Sequence, residues 1–253
     1  MNWLQLIERR NSVRQYEENV DESILAAVRK ICEHVRRYNN SPLKFYLLPG
    51  TEVHQHQKSI GPIGRVWAPW YIAAVAAADS VSLFNLGYSG QRVVLELTAL
   101  GLGTCWLGSL VDWAALGESL HLGKGEAVRT LIAWGRKLES LAEKPGRRLP
   151  PEKIAVFPGE KDVKYPWRTV LEAVRWAPSA INGQPWRLWF GADAVHLYSR
   201  PRRITRRYCP IDMGIALCHL ELACQQLNIP GRVGKGDHPR RKGWEYWVSY
   251  LFD

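Results

Sequence analysis

Four short segments carry residue types that bind and orient a charged ligand. The first is Glu8-Arg-Arg-Asn-Ser-Val-Arg14, which places three arginines and a serine within six residues. Arginine supplies both charge and forked donors, the combination a dianionic phosphate requires. The same run also reads as an exposed basic helix end. The second is Ala177-Pro-Ser-Ala-Ile-Asn-Gly-Gln-Pro-Trp186. Here Ser179, Asn182 and Gln184 offer donors and acceptors on a loop held by two prolines, suited to the edge of a polar heteroaromatic ring or to an ordinary Asn-Gly turn. The third is Ala99-Leu-Gly-Leu-Gly-Thr-Cys-Trp-Leu-Gly-Ser109, whose glycines allow close backbone approach to a flat ligand, or simply cap a helix before a strand. The fourth, Lys144-Pro-Gly-Arg-Arg148, is a further phosphate-binding candidate or a solvated charge run.

Other chemistries lack their signatures. There is no G-x-S-x-G elbow, no H-E-x-x-H and no G-x-x-x-x-G-K-[ST]. The glycine segment fails as a dinucleotide fingerprint, because its third glycine is missing and it follows a helix instead of opening one. Ser179 has no sequence partner that would make it a nucleophile. No catalytic side chain and no metal site is expected. Cys218, His219 and Cys224 match no zinc spacing, and an amphipathic helix with buried thiols accounts for them better. His54-Gln-His56 sits in a polar stretch and is likewise not taken as a metal site.

The elements that must position these segments come in two similar sets. Residues 85–104 (NLGYSGQRVVLELTALGLGT) and 212–231 (DMGIALCHLELACQQLNIPG) align at an offset of 127, pairing Gly87 with Gly214 and Leu95 with Leu222. Both show helical periodicity and end at Gly101 or Asn228, residues that accept a left-handed C-cap. Upstream, LAAVR (25–29) and LEAVR (171–175) each sit in an amphipathic helix. Each is followed by a turn with Asn and Pro and then an apolar strand, 44–48 and 187–190. Further strands are expected at 71–78, 105–107, 129–134, 194–198 and 245–251. The run 71–78 is continuous, as for a strand buried on both faces. The stretch Glu143–Pro151, rich in Pro and charge, reads as the linker region. The expected organisation is two half-domains, 1–158 and 159–253.

At 253 residues, 46% hydrophobic and 23% charged, the chain has the balance of a soluble globular protein. Its longest apolar run, Trp70–Ala78, falls short of the roughly 20 residues a bilayer span needs. Residues 1–14 already carry Glu8, Arg9, Arg10 and Arg14, and no secretory signal is read there. A cytoplasmic location and no membrane partner are expected. Five cysteines, an odd number in a long chain without C-x-x-C, argue against a disulfide framework. The net charge of +10 divides as +4 before residue 159 and +6 after it, with local runs at Arg200–Arg203 and Arg240–Lys242. That suits an anionic ligand or a solvated basic face. No aromatic-basic RNA module is recognisable, so no nucleic-acid partner is expected. The 12 tryptophans belong mostly to core or pocket walls, Trp67, Trp70 and Trp106 among them.

Taken together, the segments resemble the nitroreductase family of FMN-dependent oxidoreductases. Arg9–Arg14 matches R-R-x-S-x-R, residues 177–186 match A-P-S-x-x-N-x-Q-P-W, and residues 101–108 match G-L-G-T-C-W-x-G. In an ordinary member all three lie in one subunit of a homodimer, the P-S-x-x-N loop shortly after the arginines, with FMN at the dimer interface. Here the first half has only Arg37-Tyr-Asn-Asn-Ser-Pro42 at the loop position. The second half has the loop but no arginine motif, and its glycine segment is reduced to Asn228-Ile-Pro-Gly-Arg232.

The resemblance implies an α+β, nitroreductase-like fold: two fused half-domains around mixed β-sheets, an intramolecular pseudo-dimer of the tandem, single-chain type. It implies one complete site per chain and a monomer with an internal pseudo-two-fold. Arg10, Ser12 and Arg14 would hold the FMN phosphate and ribityl end, with Asn11 nearby, and Lys144, Arg147 or Arg148 would close the phosphate from the other side. Pro178, Ser179, Ala180 and Asn182 would lie along the isoalloxazine ring. Leu107 and Gly108 would present backbone donors to its polar edge, Gln184 would be structural, and Arg65 would approach the pyrimidine end. The implied reaction is hydride transfer from NADH or NADPH through FMN to a nitroaromatic, quinone or similar small molecule. The rival is a non-catalytic FMN-binding protein for storage or sensing.

Overall fold

The computed structural model describes residues 1–57, 66–109, 111–138, 146–159 and 165–253. Along the chain these form α1 (Trp3–Arg9), α2 (Glu22–His34), β1 (Leu43–Pro49), α3 (Gly50–His54), β2 (Trp70–Ala76), α4 (Ser80–Ala99) and β3 (Gly103–Leu107). Then come α5 (Trp113–Ser119), β4 (Ala127–Gly135), α6 (Pro151–Ile154), β5 (Ala155–Val156), α7 (Trp167–Arg175) and β6 (Trp186–Phe190). The last elements are β7 (Ala194–Ser199), α8 (Cys209–Gln226), β8 (Gly231–Gly234) and β9 (Glu245–Phe252). Short 3₁₀ turns cover Ala180–Asn182 and Arg203–Tyr208. Two compact units result: Arg9–Pro145, and Met1–Glu8 together with Gly146–Asp253.

In the unit Arg9–Pro145, four strands form an antiparallel sheet in the order β1-β2-β4-β3. Alternation along β2 and β4 builds a core on each face. Tyr71, Ala73, Val75, Leu131 and Ala133 pack with Val53 and Leu116 on one side. Ile72, Ile132 and Trp134 pack with Leu25, Val28, Val93 and Leu97 of α2 and α4 on the other. The continuous apolar run at 70–76 is therefore buried on both faces, but within an antiparallel sheet, because helices cover both sides. Trp70 stacks on Trp134, with ring centroids 6.2 Å apart, while Trp67 is half-exposed and meets His54 edge-on at 4.2 Å.

The unit Met1–Glu8 with Gly146–Asp253 has the order β5-β6-β7-β9-β8. It is mixed only because β5 runs parallel to β6 at one edge. The remainder, β6-β7-β9-β8, repeats the connectivity of the other sheet, each with a long helix between its second and third strands. Residues 1–8 join this unit through Trp3, whose N–H donates to Gln226 Oε1 at 2.9 Å. Residues 146–149 join it through Leu149 N–H to Gln184 Oε1 at 2.8 Å. The strand Gly231–Gly234 is invisible to hydrophobic patterning, since Val233 is its one large apolar residue; Gly231 lies where any Cβ would sit 2.2 Å from the Leu251 carbonyl.

The two long helices end alike. After α4, Gly101 takes φ +78° and Leu102 N–H reaches back to Leu97 O at 3.0 Å. After α8, Asn228 takes φ +53° and Ile229 N–H reaches Cys224 O at 2.9 Å. Both are left-handed C-caps of the Schellman type. At its start α4 is capped by Asp79, which accepts from Val81 and Ser82 N–H at 3.0 and 2.9 Å, a cap worth about 1 kcal/mol. The helix α8 departs from the amphipathic expectation: every residue from Ile211 to Cys224 is buried, as in a helix enclosed on all sides. His219 Nδ1–H donates to the Ala173 carbonyl at 2.8 Å, which fixes the proton on that nitrogen. All five cysteines are free and buried. Among the described residues no helix is long and apolar enough to cross a membrane, and no His/Cys/Asp/Glu group could hold a metal ion.

Candidate functional site

In the unit Arg9–Pro145, the arginine segment is fastened along β3. Ser12 bridges Thr104 in parallel, and Val13 N–H donates to Thr104 O at 2.9 Å. Tyr16 is buried and donates its hydroxyl to Val13 O at 2.6 Å, and Glu17 N–H bonds Arg136 O at 2.9 Å. Gly103 makes this approach possible: a Cβ there would lie 2.9 Å from Val13 Cβ. Gly103 thus serves close packing of the arginine segment on β3.

Along that segment Arg10 is buried, Asn11 half-buried, and Ser12 and Arg14 exposed. Arg14 Nη1 donates to Ser12 O at 3.3 Å. Burial pushes the Cys105 thiol pKa up, and the positive charges of Arg14 and Arg10 oppose that shift. Both guanidiniums therefore bear on the same stretch of β3. Leu107 and Gly108 follow at its end, half-buried, with the Leu107 carbonyl taken by Thr130 Oγ1 at 2.9 Å. Trp106 is fixed by Nε1–H to Gln91 Oε1 at 3.1 Å and lies against Gly90, where a Cβ would come within 2.6 Å of its ring.

In the other unit, the loop 177–186 is the most strained stretch of the described chain. Ile181, Asn182 and Gln184 have φ of 44°, 54° and 47°. Left-handed backbone costs of order 1–3 kcal/mol per non-glycine residue, and a β-branched side chain makes it worse. Ile181 is also 73% exposed, so no packing of its side chain repays that cost.

Hydrogen bonds hold the turn from three directions. Within the loop, Gln184 N–H donates to Ser179 Oγ at 2.9 Å and Asn182 N–H to Ser179 O at 2.9 Å. From the segment before α6, Arg148 Nη1 donates to Asn182 Oδ1 at 2.9 Å, and Asn182 Nδ2 donates to Arg147 O at 2.6 Å. Arg148 Nη2 also reaches Trp176 O at 3.2 Å. From α8, Asp212 Oδ1 accepts the Ala180 N–H at 3.0 Å. Burial drives the Asp212 carboxyl up to about pKa 7, opposed by that N–H. Burial, then neighbouring Arg175, lowers the Arg148 pKa.

Arg147, Arg148, Ser179, Ala180 and Asn182 thus come together in one unit, and Arg10, Asn11, Ser12 and Arg14 lie along β3 in the other. Pro178 is buried and Ser179 half-buried. Gln184 is structural, buried and bonded to Leu149 N–H. The Asn182 side chain is committed to Arg147 and Arg148 rather than left open. Lys144 and Arg65 lie outside the described residues. Sequence reading overlooked Asp212, although the offset of 127 that pairs the long helices sets it opposite Asn85. Asn85 does the matching work in its own unit: Oδ1 accepts Tyr38 and Asn39 N–H at 2.9 and 3.3 Å, and Nδ2 donates to Ser41 O at 3.2 Å.

A family model described as "Putative TM nitroreductase" matches residues 2–224. The crystal structure of a "putative nitroreductase" from Thermotoga maritima MSB8 superposes with TM-score 0.66 at 22% identity, covering 99% of this chain and 94% of that one. A nitroreductase family protein from Streptococcus pneumoniae TIGR4 gives TM-score 0.51 at 20% identity, over 60% of this chain and 98% of its own. Another from Clostridium difficile 630 gives 0.50 at 17%, over 60% and 96%. At these identities the likeness is one of fold. No curated protein matches the sequence.

Proposed function

As the chain belongs to the family described as "Putative TM nitroreductase", we propose that it is an FMN-dependent oxidoreductase using NADH or NADPH to reduce small electron-poor acceptors such as nitroaromatics or quinones. The observation that carries this reading is the left-handed backbone of Ile181, Asn182 and Gln184, with Ile181 exposed at the tip, held in place from α8 and from Arg147–Arg148. A strained turn so thoroughly tethered is what a preformed ligand wall requires.

The donor set fits the group. Residues 9–14 combine three arginines with a serine and hold no carboxylate, and Arg147 and Arg148 add two more cations. In this reading Arg10, Ser12 and Arg14 bind the phosphate and ribityl end, with Asn11 beside them. Arg147 and Arg148 add positive charge, Arg148 while bracing Asn182. Leu107 and Gly108 offer backbone donors, and Pro178, Ser179 and Ala180 form a wall for the flat ring. Asn182 shapes that wall more than it contacts the ligand, since its amide is already bonded. When bound, FMN supplies the hydride chemistry, and the side chains supply orientation and charge. No side-chain acid or base is assigned.

We further infer one FMN per chain, in a cytoplasmic monomer whose halves form an internal pseudo-dimer. The support is the shared order β1-β2-β4-β3 and β6-β7-β9-β8, together with the division of the motifs: arginines and glycine strand in one unit, P-S-x-x-N loop in the other. The test is an anaerobic titration of the FMN-loaded protein with NADH and NADPH, followed in the visible spectrum. Bleaching, then recovery on adding a nitroaromatic or quinone, is the expected result. Bound flavin that stays oxidised with both donors would mean storage or sensing, and failure to bind added FMN would end the assignment.

A further inference from the structure

The carboxylate of Asp212 does something its place in the helix does not need. It lies in the first turn of α8, 3% exposed, with Oδ1 on the Ala180 N–H at 3.0 Å and no hydrogen-bond partner for Oδ2 among the described residues. A buried carboxylate with one oxygen unsatisfied costs stability. An apolar residue would suit this helix better, since its neighbours Ile211, Met213 and Ile215 are all core. What the acid secures is one loop amide, at the residue immediately before the left-handed backbone of Ile181 and Asn182.

The matching position supports a tethering role. Asn85, in α4, also reaches out to loop amides, and it satisfies both ends of its side chain in doing so. Two helices in two units thus spend a buried polar side chain on the loop ahead of the first strand. Only the loop under Asp212 is strained: among the described residues, the Asn85 loop holds no left-handed residue.

We propose that Asp212 is a positioning residue, which fixes the 180–184 turn through the Ala180 amide and so sets the shape of the wall offered to FMN. The inference rests on the flavin reading above, but the tether can be read without flavin. Three forms are compared, wild type, Asp212→Asn and Asp212→Leu. Asn keeps an acceptor for the amide, while Leu fills the space without one.

Two measurements are made on each. Hydrogen–deuterium exchange of residues 178–186 in the flavin-free protein reads the tether. FMN titration reads its consequence. Expected are wild-type protection and affinity, within about twofold, in Asp212→Asn, with faster exchange and roughly tenfold weaker FMN binding in Asp212→Leu, the scale of one lost hydrogen bond. Unchanged exchange in Asp212→Leu would overturn the tether. Faster exchange with unchanged FMN affinity would overturn the positioning role. If Asp212→Leu does not fold, loss of protection or of FMN affinity in Asp212→Asn would overturn the claim, and retention of both would uphold it. Failure of the wild type to bind FMN would instead overturn the flavin reading, leaving the exchange result to stand alone.

Discussion

The loops 35–42 and 176–185 occupy the same place in two similarly connected sheets, yet they are built to different standards. Each follows a helix, precedes the first of four repeated strands, and is gripped by a buried polar residue of the long helix, Asn85 or Asp212. The first loop is relaxed and closes on itself, with Ser41 N–H on Asn39 Oδ1 at 2.8 Å and Tyr38 packed edge-on against Phe84. The second holds three left-handed residues and exposes Ile181 at its tip. Two loops in equivalent surroundings show that the fold itself does not demand the strain. Strain kept at one copy and absent from the other agrees with the proposal that this copy forms the ligand wall.

The comparison breaks most visibly at the arginines. Replacing Arg10 and Arg14 together with Ala is expected to weaken FMN binding at least about 100-fold, since each charge-assisted contact contributes about 1.5–3 kcal/mol. Equilibrium dialysis of the folded variant measures it. Retention of near wild-type affinity would remove the phosphate role from this segment.

Next in size is the relaxed loop. Asn85→Leu orphans the Tyr38 and Asn39 amides and the Ser41 carbonyl, at an expected cost of about 2–3 kcal/mol in urea unfolding. FMN affinity of the folded protein should change little. A large loss of affinity would show that both loops serve the flavin.

The two helix residues also differ in charge. Asp212 has its folded pKa raised from 3.8 to about 7, so the folded state favours the proton. Its contribution is fully present below pH 3.8 and is lost as pH rises through 7. Asn has no such dependence. Stability of Asp212→Asn relative to wild type should therefore increase between pH 5 and pH 8, by on the order of 2 kcal/mol. Comparing the two proteins cancels His54 and His196, whose pKa values burial lowers and which act in the opposite direction. A pH-independent difference would mean that Asp212 is not titrating there. The smallest effect concerns the tip: Ile181→Gly removes left-handed strain and should raise stability by about 1 kcal/mol in thermal unfolding. Destabilisation would show that the exposed Ile side chain has a role in holding the turn.

Much of this architecture was legible in the sequence because it rests on local rules. Apolar runs bounded by turn residues located the longer strands, and Gly101 and Asn228 announced the two left-handed caps. The offset of 127 between the long helices foreshadowed the common strand order. What was not legible depended on distant partners. β8 is a strand because β9 pairs with it, not because Gly-Arg-Val-Gly favours one. The enclosure of α8 and the placement of residues 146–149 beside Asn182 and Gln184 follow from tertiary packing. At the site, motifs named the candidate residues, but the commitment of Asn182 to Arg147 and Arg148, and the grip of Asp212 on Ala180, join residues more than 30 positions apart. An acid inside an apolar helix run was the available signal.

We propose that one chain holds one complete flavin site. FMN extracted and quantified per chain, alongside native mass spectrometry of the holoprotein, tests it most directly. The account predicts one FMN on a monomer. Two FMN per chain, or flavin carried only by a dimer, would contradict it.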